Sequence, residues 1–565
     1  MNASSTRSIV ASVLPAQDPV RTLTVTVKPL VNSADDEIGA VEVHLALTGV
    51  RAGPDDPLLE MVHLYANVRT AINCIEELDA RDDSGPLRLS AHDSETNGQR
   101  FRQWSVDRSV IGTVHVRYRV QVASMPPARG PAPPLELRSE AGALSGAGMS
   151  FLMLPLTGSF ETAIHWDLSA LPTEARAVSS LGEGDRKFAQ PVPAKHLERV
   201  FFMAGKIELG VCSAPRAVFF SAWQGTPPFD AQALMTWTET LYTRYSEFFG
   251  ANPLSYGVFL RRNIVNPGGG MALIDSFVAT FDDIRGNDPE DLKITLSHEM
   301  FHTFQPYLAA REGQEPGLET AWFNEGLAVF YQSRLPLRFG MIARADFLAD
   351  LNYHAGRYYT NALANLPDSE VPKRFWEDTR VRTLPYDRGL LYMVQIDDQI
   401  RKASRGQRSL DDVLFELLAR RRRAKSLLLV DWEAVLAAEL GPDAVAAFHA
   451  MLDGESPLPA SDAFGRDFHR VEKPLRRYEL GFEPKVLMEE PRVVRGLIRG
   501  SNAEAAGLRD GDEILRSVGQ DGIQGQQEAE LELAIRRASE YLQIRYRPRG
   551  ELVSAWQWCE TDLPR

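Results

Sequence analysis

Within Leu296-Ser297-His298-Glu299-Met300-Phe301-His302, two histidines stand four positions apart with a glutamate beside the first. At about 100° per residue on a helix, positions four apart lie roughly 40° apart around the axis, so both imidazoles can reach one metal ion while Glu299 leans beside it. Farther on, Trp322-Phe323-Asn324-Glu325-Gly326-Leu327-Ala328 carries a single carboxylate in apolar company. A lone glutamate in such a run is costly to bury unless it is paired or metal-bound. Two histidines and one glutamate leave a fourth position of a tetrahedral ion open, the arrangement of a catalytic rather than a structural zinc site. The pattern therefore predicts one Zn2+ per chain, held by His298, His302 and Glu325. A doubly charged ion with one anionic ligand lowers the pKa of a bound water toward roughly 7. Glu299 is then placed to take that proton as general base and to pass it to a leaving amine. An attacked carbonyl also needs a hydrogen-bond donor for its developing oxyanion. Tyr386, in Pro385-Tyr386-Asp387-Arg388-Gly389, is the candidate, although by residue type alone a tyrosine there is more often structural.

The first motif is predicted to lie on a helix. Asp288-Pro289-Glu290-Asp291 precedes it, with a residue that can cap, a proline suited to the first helical position and carboxylates that complement the dipole. Ile294, Phe301 and Phe304 are expected to bury the neighbouring faces of that helix. Similar helical texture runs over Ala231 to Phe249, Asp288 to Gln305, Glu319 to Arg334, Pro385 to Ser404, Ser409 to Arg421 and Asp431 to Leu452, so the region beyond about Val200 reads as helix-dominated. Before it, Leu23 to Val27, Val41 to Leu47, Val114 to Val122 and Phe151 to Leu156 are short alternating runs broken by turn residues, the pattern of an antiparallel β-sandwich. Pro126 to Pro134 reads as a proline-rich loop within it. From about Tyr478 the chain returns to short strands with Gly-Asp punctuation and one expected helix, Glu528 to Tyr541, forming a small separate domain.

Length and composition agree with three domains. A chain of 565 residues exceeds what one hydrophobic core accommodates, and 44% hydrophobic with 24% charged residues matches globular averages. No stretch is apolar for the length of a membrane span, which predicts a soluble protein. A net charge of -14 argues against nucleic acid as a partner, because phosphate binding needs a basic surface. The basic run Arg420 to Arg423 plus Lys425 reads as a solvated helix terminus. Cys74, Cys212 and Cys559 are too few and too scattered for a disulfide framework and read as reduced, mostly buried thiols. Arg7 and the apolar stretch Ile9 to Leu14, soon followed by Pro15 and Asp18, fall short of a signal peptide, so a cytoplasmic location is expected.

HExxH, then Trp322 to Gly326 reading WxNEG, then a Tyr-x-Arg-Gly turn opening a helix, resembles the gluzincin peptidases and, within them, the M61 glycyl aminopeptidase family. The resemblance implies a multidomain α+β protein: an N-terminal β-sandwich over residues 20–200, a thermolysin-like, mainly helical catalytic domain over 201–475, and a PDZ domain over 476–565. Ser409 to Leu414 and the run from Trp432 through Gly441 and Phe448 to Gly454 resemble the final helices of the family's catalytic domain. Carried over, His298, His302 and Glu325 are the zinc ligands, Glu299 the base and Tyr386 the transition-state donor, acting on a peptide or protein substrate. Family members carry Gly-Gly-Leu-Glu-His upstream of the zinc helix, where the glutamate helps to hold a free amino terminus. Gly269-Gly270-Met271-Ala272-Leu273 stands there instead, so the amine anchor is missing although Asp275 lies nearby, and Gly269, Gly270 and Met271 are left to offer backbone groups to an extended peptide. Leu480-Gly481-Phe482, followed by Ala506-Gly507-Leu508 and Gly511-Asp512-Glu513-Ile514-Leu515, resembles bacterial PDZ domains, whose Leu-Gly-Phe loop receives a peptide C-terminus, with strand addition the expected mode.

Two other functions compete with a peptidase. One is a catalytically silent scaffold that binds peptides through the PDZ domain. The other keeps the zinc and opens epoxides by the same activation of water, and neither the order of the domains nor a recognisable lipid channel supports it.

Overall fold

The computed structural model describes residues 21–32, 37–96, 98–123, 132–210, 219–251, 255–263, 269–281, 289–314, 316–423, 426–516 and 518–561. Ile9 to Leu14, the proline-rich loop through Pro131, Cys212, Asp288 and Lys425 lie outside the described residues.

In the N-terminal region, Thr22–Val31 alternates fully buried Leu23, Val25 and Val27 with more exposed threonines, as a strand with one buried face requires. It pairs antiparallel with Ile38–Thr48, which pairs with Val114–Gln121, which in turn pairs with Ile75–Asp82. A second sheet of Pro57–Val62, Gln99–Val106 and Leu89–Thr96 contributes Leu59, Met61 and Trp104 to the same core. The expected antiparallel order fails at one place. Ser159–Trp166 runs parallel to Thr22–Val31, which the long excursion between Gln121 and Ser159 permits. The strand expected over Phe151 to Leu156 shrinks to Leu154–Pro155 after a 3-10 turn at Gly148–Ser150. Phe151, Leu152 and Met153 are buried without alternation, and the Tyr118 hydroxyl replaces a sheet partner: it donates to the Phe151 carbonyl (3.2 Å) and accepts from the Met153 N–H (2.9 Å).

Helix dominance beyond Val200 also needs correction, because a five-stranded mixed sheet comes first: Ile207–Leu209, Phe219–Gln224, Tyr256–Arg262, Ser276–Phe281 and, at its edge, Gly270–Leu273. Tyr256 through Arg261 are all buried, so this strand lacks the two-residue period that would have marked it. Helices then follow where expected: Ala231–Phe249, Pro289–Phe304, Ala321–Gln332, Leu384–Ala403 and Leu410–Arg421. The long helix read over Asp431 to Leu452 is two, Leu429–Leu440 and Pro442–Leu452, broken at Gly441, whose φ of 87° no helix accommodates. Trp322, Trp432 and Phe448 interlock at the centre of this region's core. No helix among the described residues is long and apolar enough to cross a membrane.

Toward the C-terminus, the helix expected over Glu528 to Tyr541 is instead part of a hairpin, Leu531–Arg537 paired with Glu540–Tyr546. Leu531, Leu533 and Ile535 point inward at period two, which a helix cannot do with these spacings. The hairpin joins Arg492–Val493 and Glu513–Ile514 in a four-stranded sheet over a core that includes Leu480, Phe482 and Leu508. Two long strands, Phe468–Tyr478 and Arg549–Glu560, connect this unit to the helical region, and Trp558 on the second is buried in the helical core. The expected boundary at residue 475 falls inside the first of them. After Phe482 the chain coils into a 3-10 helix, Pro484–Met488, so the extended edge expected for strand addition ends at Glu483. Cys74 and Cys559 are free thiols, half-buried rather than buried.

Candidate metal centre

Helix Pro289–Phe304 is held from below by Phe301, which is fully buried and stacks on Tyr331, and by Ser297, whose hydroxyl donates to the Gln332 carbonyl (2.5 Å) and meets the Tyr245 hydroxyl at 2.6 Å. Phe304 packs beside Phe249, while Ile294 stays half-exposed. Those contacts fix the rotation of the helix, so His298 and His302 emerge on one side with their rings nearly perpendicular. Helix Ala321–Gln332 brings the third group. Asn324 anchors its start by accepting from the Leu308 N–H (3.0 Å) and donating to the Leu308 carbonyl (3.2 Å), which turns the next residue, Glu325, toward the histidines.

The three donor atoms form a nearly equilateral triangle: Nε2 of His298 to Nε2 of His302 is 3.2 Å, and Oε2 of Glu325 lies 3.3 Å and 3.4 Å from them. Ligands at about 2.0–2.1 Å from a tetrahedral ion are separated by roughly 3.3 Å, so the triangle fits zinc without rearrangement. Among the described residues this is the one group of three or more such side chains close enough to hold a metal. The electrostatics of the ion-free cluster point the same way. Burial opposes charge on His298, but the hydrogen bond to Glu325 and the charges of Glu299 and Glu325 outweigh it and push its pKa up to about 9. Burial would raise Glu325 as well, yet the two imidazoles hold it far below the ordinary carboxylate range. The Glu325 carboxylate thus favours positive charge at the place where a cation fits.

The remaining candidates converge on the same cleft. Burial raises the pKa of Glu299 against the opposing pull of the two histidines, and its carboxylate accepts the backbone N–H of Ala272. That contact places the edge strand Gly270–Leu273 directly beside helix Pro289–Phe304. Gly270, Met271, Ala272 and Leu273 pair with a neighbour on one side only, and Gly270 faces the same open side as Ala272 because backbone direction alternates along a strand. A Cβ on Gly270 would fall 2.0 Å from the Phe277 ring, which explains the glycine there, and Gly269 turns into the strand with φ 83°. Tyr386, in the first turn of Leu384–Ala403, stacks on His298 with ring centroids 6.1 Å apart. Burial and the nearby charges of Glu325 and Glu299 push its pKa well above the ordinary phenol value, so it stays a donor. Leu480, Gly481 and Phe482 are not part of this cleft. They line a separate one of about 200 Å³ with Asp378, Thr379 and Arg380.

Sequence reading missed the groups behind the histidines. Nδ1 of His298 faces Oε1 of Gln332 at 2.8 Å, and Nδ1 of His302 faces the Gln305 amide at 2.7 Å. A metal taken at Nε2 requires the proton on Nδ1 and hence an acceptor opposite it. Gln332 already presents one. Gln305 supplies one when its amide turns over, bringing to His302 an Oε1 that is otherwise buried without a partner. The signal for Gln332 was its place seven residues beyond Glu325, two helical turns along the same face.

No protein-family model matches the chain, and none of the curated proteins does. Solved structures do match. An aminopeptidase N family protein from Idiomarina loihiensis superposes with a TM-score of 0.65 at 14% identity, over 94% of this chain and 98% of that one, and so shows the fold along nearly its whole length. An M1 zinc metallopeptidase from Deinococcus radiodurans has a TM-score of 0.44 at 16% identity, over 78% of this chain and 95% of that one. Leukotriene A4 hydrolase from Saccharomyces cerevisiae has 0.45 at 14% identity, over 78% of this chain and 68% of that one.

Proposed function

We propose that the protein is a zinc-dependent peptidase of the gluzincin type, M61-like in its order of regions, with His298, His302 and Glu325 as metal ligands. The observation that carries this reading is the 3.2–3.4 Å donor triangle with Glu299 and Tyr386 on its rim. Zinc, when bound, acidifies a water and polarises a carbonyl. Glu299 accepts the proton of the attacking water and delivers it to the departing amine, and burial, which raises its pKa, makes it a stronger base than an exposed glutamate. Tyr386 donates to the oxyanion as it forms. The open edge of Gly270–Leu273 binds the substrate backbone as an added strand, with Gly270 offering its backbone groups and Gly269 and Met271, whose backbone groups turn to the neighbouring strand, flanking it. The aminopeptidase N family name of the Idiomarina relative supports peptide hydrolysis on this fold. In this chain no carboxylate stands at 272 or 273 to hold a free amino terminus.

The C-terminal unit fits a PDZ domain whose Leu480-Gly481-Phe482 loop receives a peptide carboxylate. Supporting this, the backbone N–H groups of Gly481 and Phe482 donate to nothing among the described residues and line the 200 Å³ cleft.

Matched peptides with free and acetylated amino termini, offered to wild type, chelated protein and Glu299→Gln, test the proposal. Cleavage lost on chelation and in the variant is expected. Cleavage of free-amine peptides alone assigns an aminopeptidase, and equal cleavage of both assigns an endopeptidase. A protein that holds zinc and cuts neither is the silent scaffold.

A further inference from the structure

Behind His298 lies a buried chain of polar side chains whose hydrogen bonds can run in one direction only. Gln332 sends Nε2 to Oδ1 of Asp350 (2.8 Å) and to Nε2 of His354 (3.2 Å), while its Oε1 meets Nδ1 of His298 (2.8 Å). Nδ1 of His354 lies 2.7 Å from Oδ1 of Asp387. Asp387 is clamped by Arg357, whose Nε and Nη2 each donate to it at 2.7 Å. Asp387 is fully buried, and Gln332, His354 and Arg357 are nearly so.

Carboxylates only accept, and an amide has one accepting and one donating end. Asp387, ionised against Arg357, therefore requires the proton of His354 on Nδ1. Nη2 of Arg357 also approaches that nitrogen, at 3.2 Å, but the closer carboxylate oxygen decides. His354 Nε2 is then a lone pair and accepts from Gln332. Asp350 fixes the same amide orientation independently, since the reverse would set two oxygens against each other at 2.8 Å. Oε1 of Gln332 is thus left facing His298, which must carry its proton on Nδ1 and offer a bare Nε2 to the metal.

We propose that Asp350 and Asp387, acting through Gln332 and His354, are positioning residues that lock His298 in its metal-binding tautomer. The inference rests on the zinc reading above. Asp387 directly follows Tyr386, so one buried carboxylate steadies both the ligand and the oxyanion donor. Its clamp reaches the C-terminal unit, because Nη1 of Arg357 donates to the Asp521 carbonyl (3.3 Å) and the Asp521 carboxylate is gripped by Arg382 (2.7 and 2.8 Å) and Thr379.

The test uses the full-length protein labelled with 15N-histidine and loaded with zinc. Expected are His298 and His354 both protonated at Nδ1 alone. His354 protonated at Nε2, as the other tautomer or as an imidazolium turned toward Asp350 at 3.6 Å, overturns the proposal. Chelator competition supplies a second readout. Gln332→Leu is expected to weaken zinc binding about 10- to 100-fold, the usual cost of losing such a partner. His354→Gln, which can still donate to Asp387 and accept from Gln332, should bind zinc like wild type, and His354→Leu should not. Equal zinc affinity in folded Gln332→Leu sinks the proposal, and if that variant does not fold, the wild-type tautomer alone decides. A wild-type protein that takes up no zinc sinks the functional reading itself.

Discussion

A Cβ placed on Gly326 would lie 2.5 Å from the Cα of Gly389, and one placed on Gly389 would lie 2.2 Å from the carbonyl oxygen of Trp322. The two glycines let helix Ala321–Gln332 and helix Leu384–Ala403 touch backbone to backbone. The residue before Gly326 is Glu325, and Tyr386 stands one turn before Gly389, so this contact sets the distance between Glu325 and Tyr386.

Gly389→Ala is therefore expected to force the helices apart, costing about 3 kcal/mol at the upper end of overpacking effects. Denaturant unfolding reads the loss and chelator competition reads the displaced Glu325. Unchanged stability and zinc affinity would mean that the contact does not position the site.

Glu299→Gln keeps an amide near the Ala272 N–H but cannot accept a proton. The turnover number should fall about 10²- to 10⁴-fold while one zinc per chain is retained. Metal analysis beside peptide kinetics checks it, and loss of zinc together with activity would show that Glu299 holds the site together rather than working as the base.

Tyr386→Phe removes the donor and leaves the ring that stacks on His298. A fall of about 10²- to 10³-fold in kcat with little change in KM is expected. Because the phenol is held protonated well above its ordinary pKa, wild-type activity should show no decline from this group up to about pH 10. An equal rate in Tyr386→Phe would leave the tyrosine a structural role only.

Ala272→Glu places a carboxylate where the strand beside Glu299 has none. Cleavage of free-amine peptides is expected to rise relative to acetylated ones, as measured by the ratio of kcat/KM. No change in that ratio would remove position 272 from the account of specificity.

Asp82 gives a test remote from the site. It accepts two N–H groups of Arg108 (2.7 and 2.8 Å), and those of Ile111 (2.8 Å) and Ser84 (2.9 Å). Arg108 foremost holds its pKa well below the carboxylate range. The unfolded chain therefore binds the proton first as acid is added. Its stabilising contribution is full above the unfolded value of about 3.9 and is lost as pH falls through the lower folded value. Unfolding of Asp82→Asn should differ from wild type at pH 7 and converge with it toward pH 2, and a constant difference would rule out the linkage.

The sequence by itself singled out the residues that the fold gathers into one cluster. His298, Glu299 and His302 follow from helical spacing, Glu325 from the cost of burying a lone carboxylate, and most of the helices from a 3.6-residue period that survives wherever one face meets solvent. It could not reveal the buried strand Tyr256–Arg262, because a segment covered on both faces has no period to read, and it took Leu531–Arg537 for helix where the tertiary core selects every second residue. Tertiary structure alone decided which distant residues meet. The edge strand reaches Glu299 because it pairs with a neighbour folded beside helix Pro289–Phe304. Gln332, His354 and Asp387 line up because three helices cross within hydrogen-bond range. The direction of a hydrogen bond depends on which donors and acceptors the fold sets opposite one another, and no spacing along the chain encodes that.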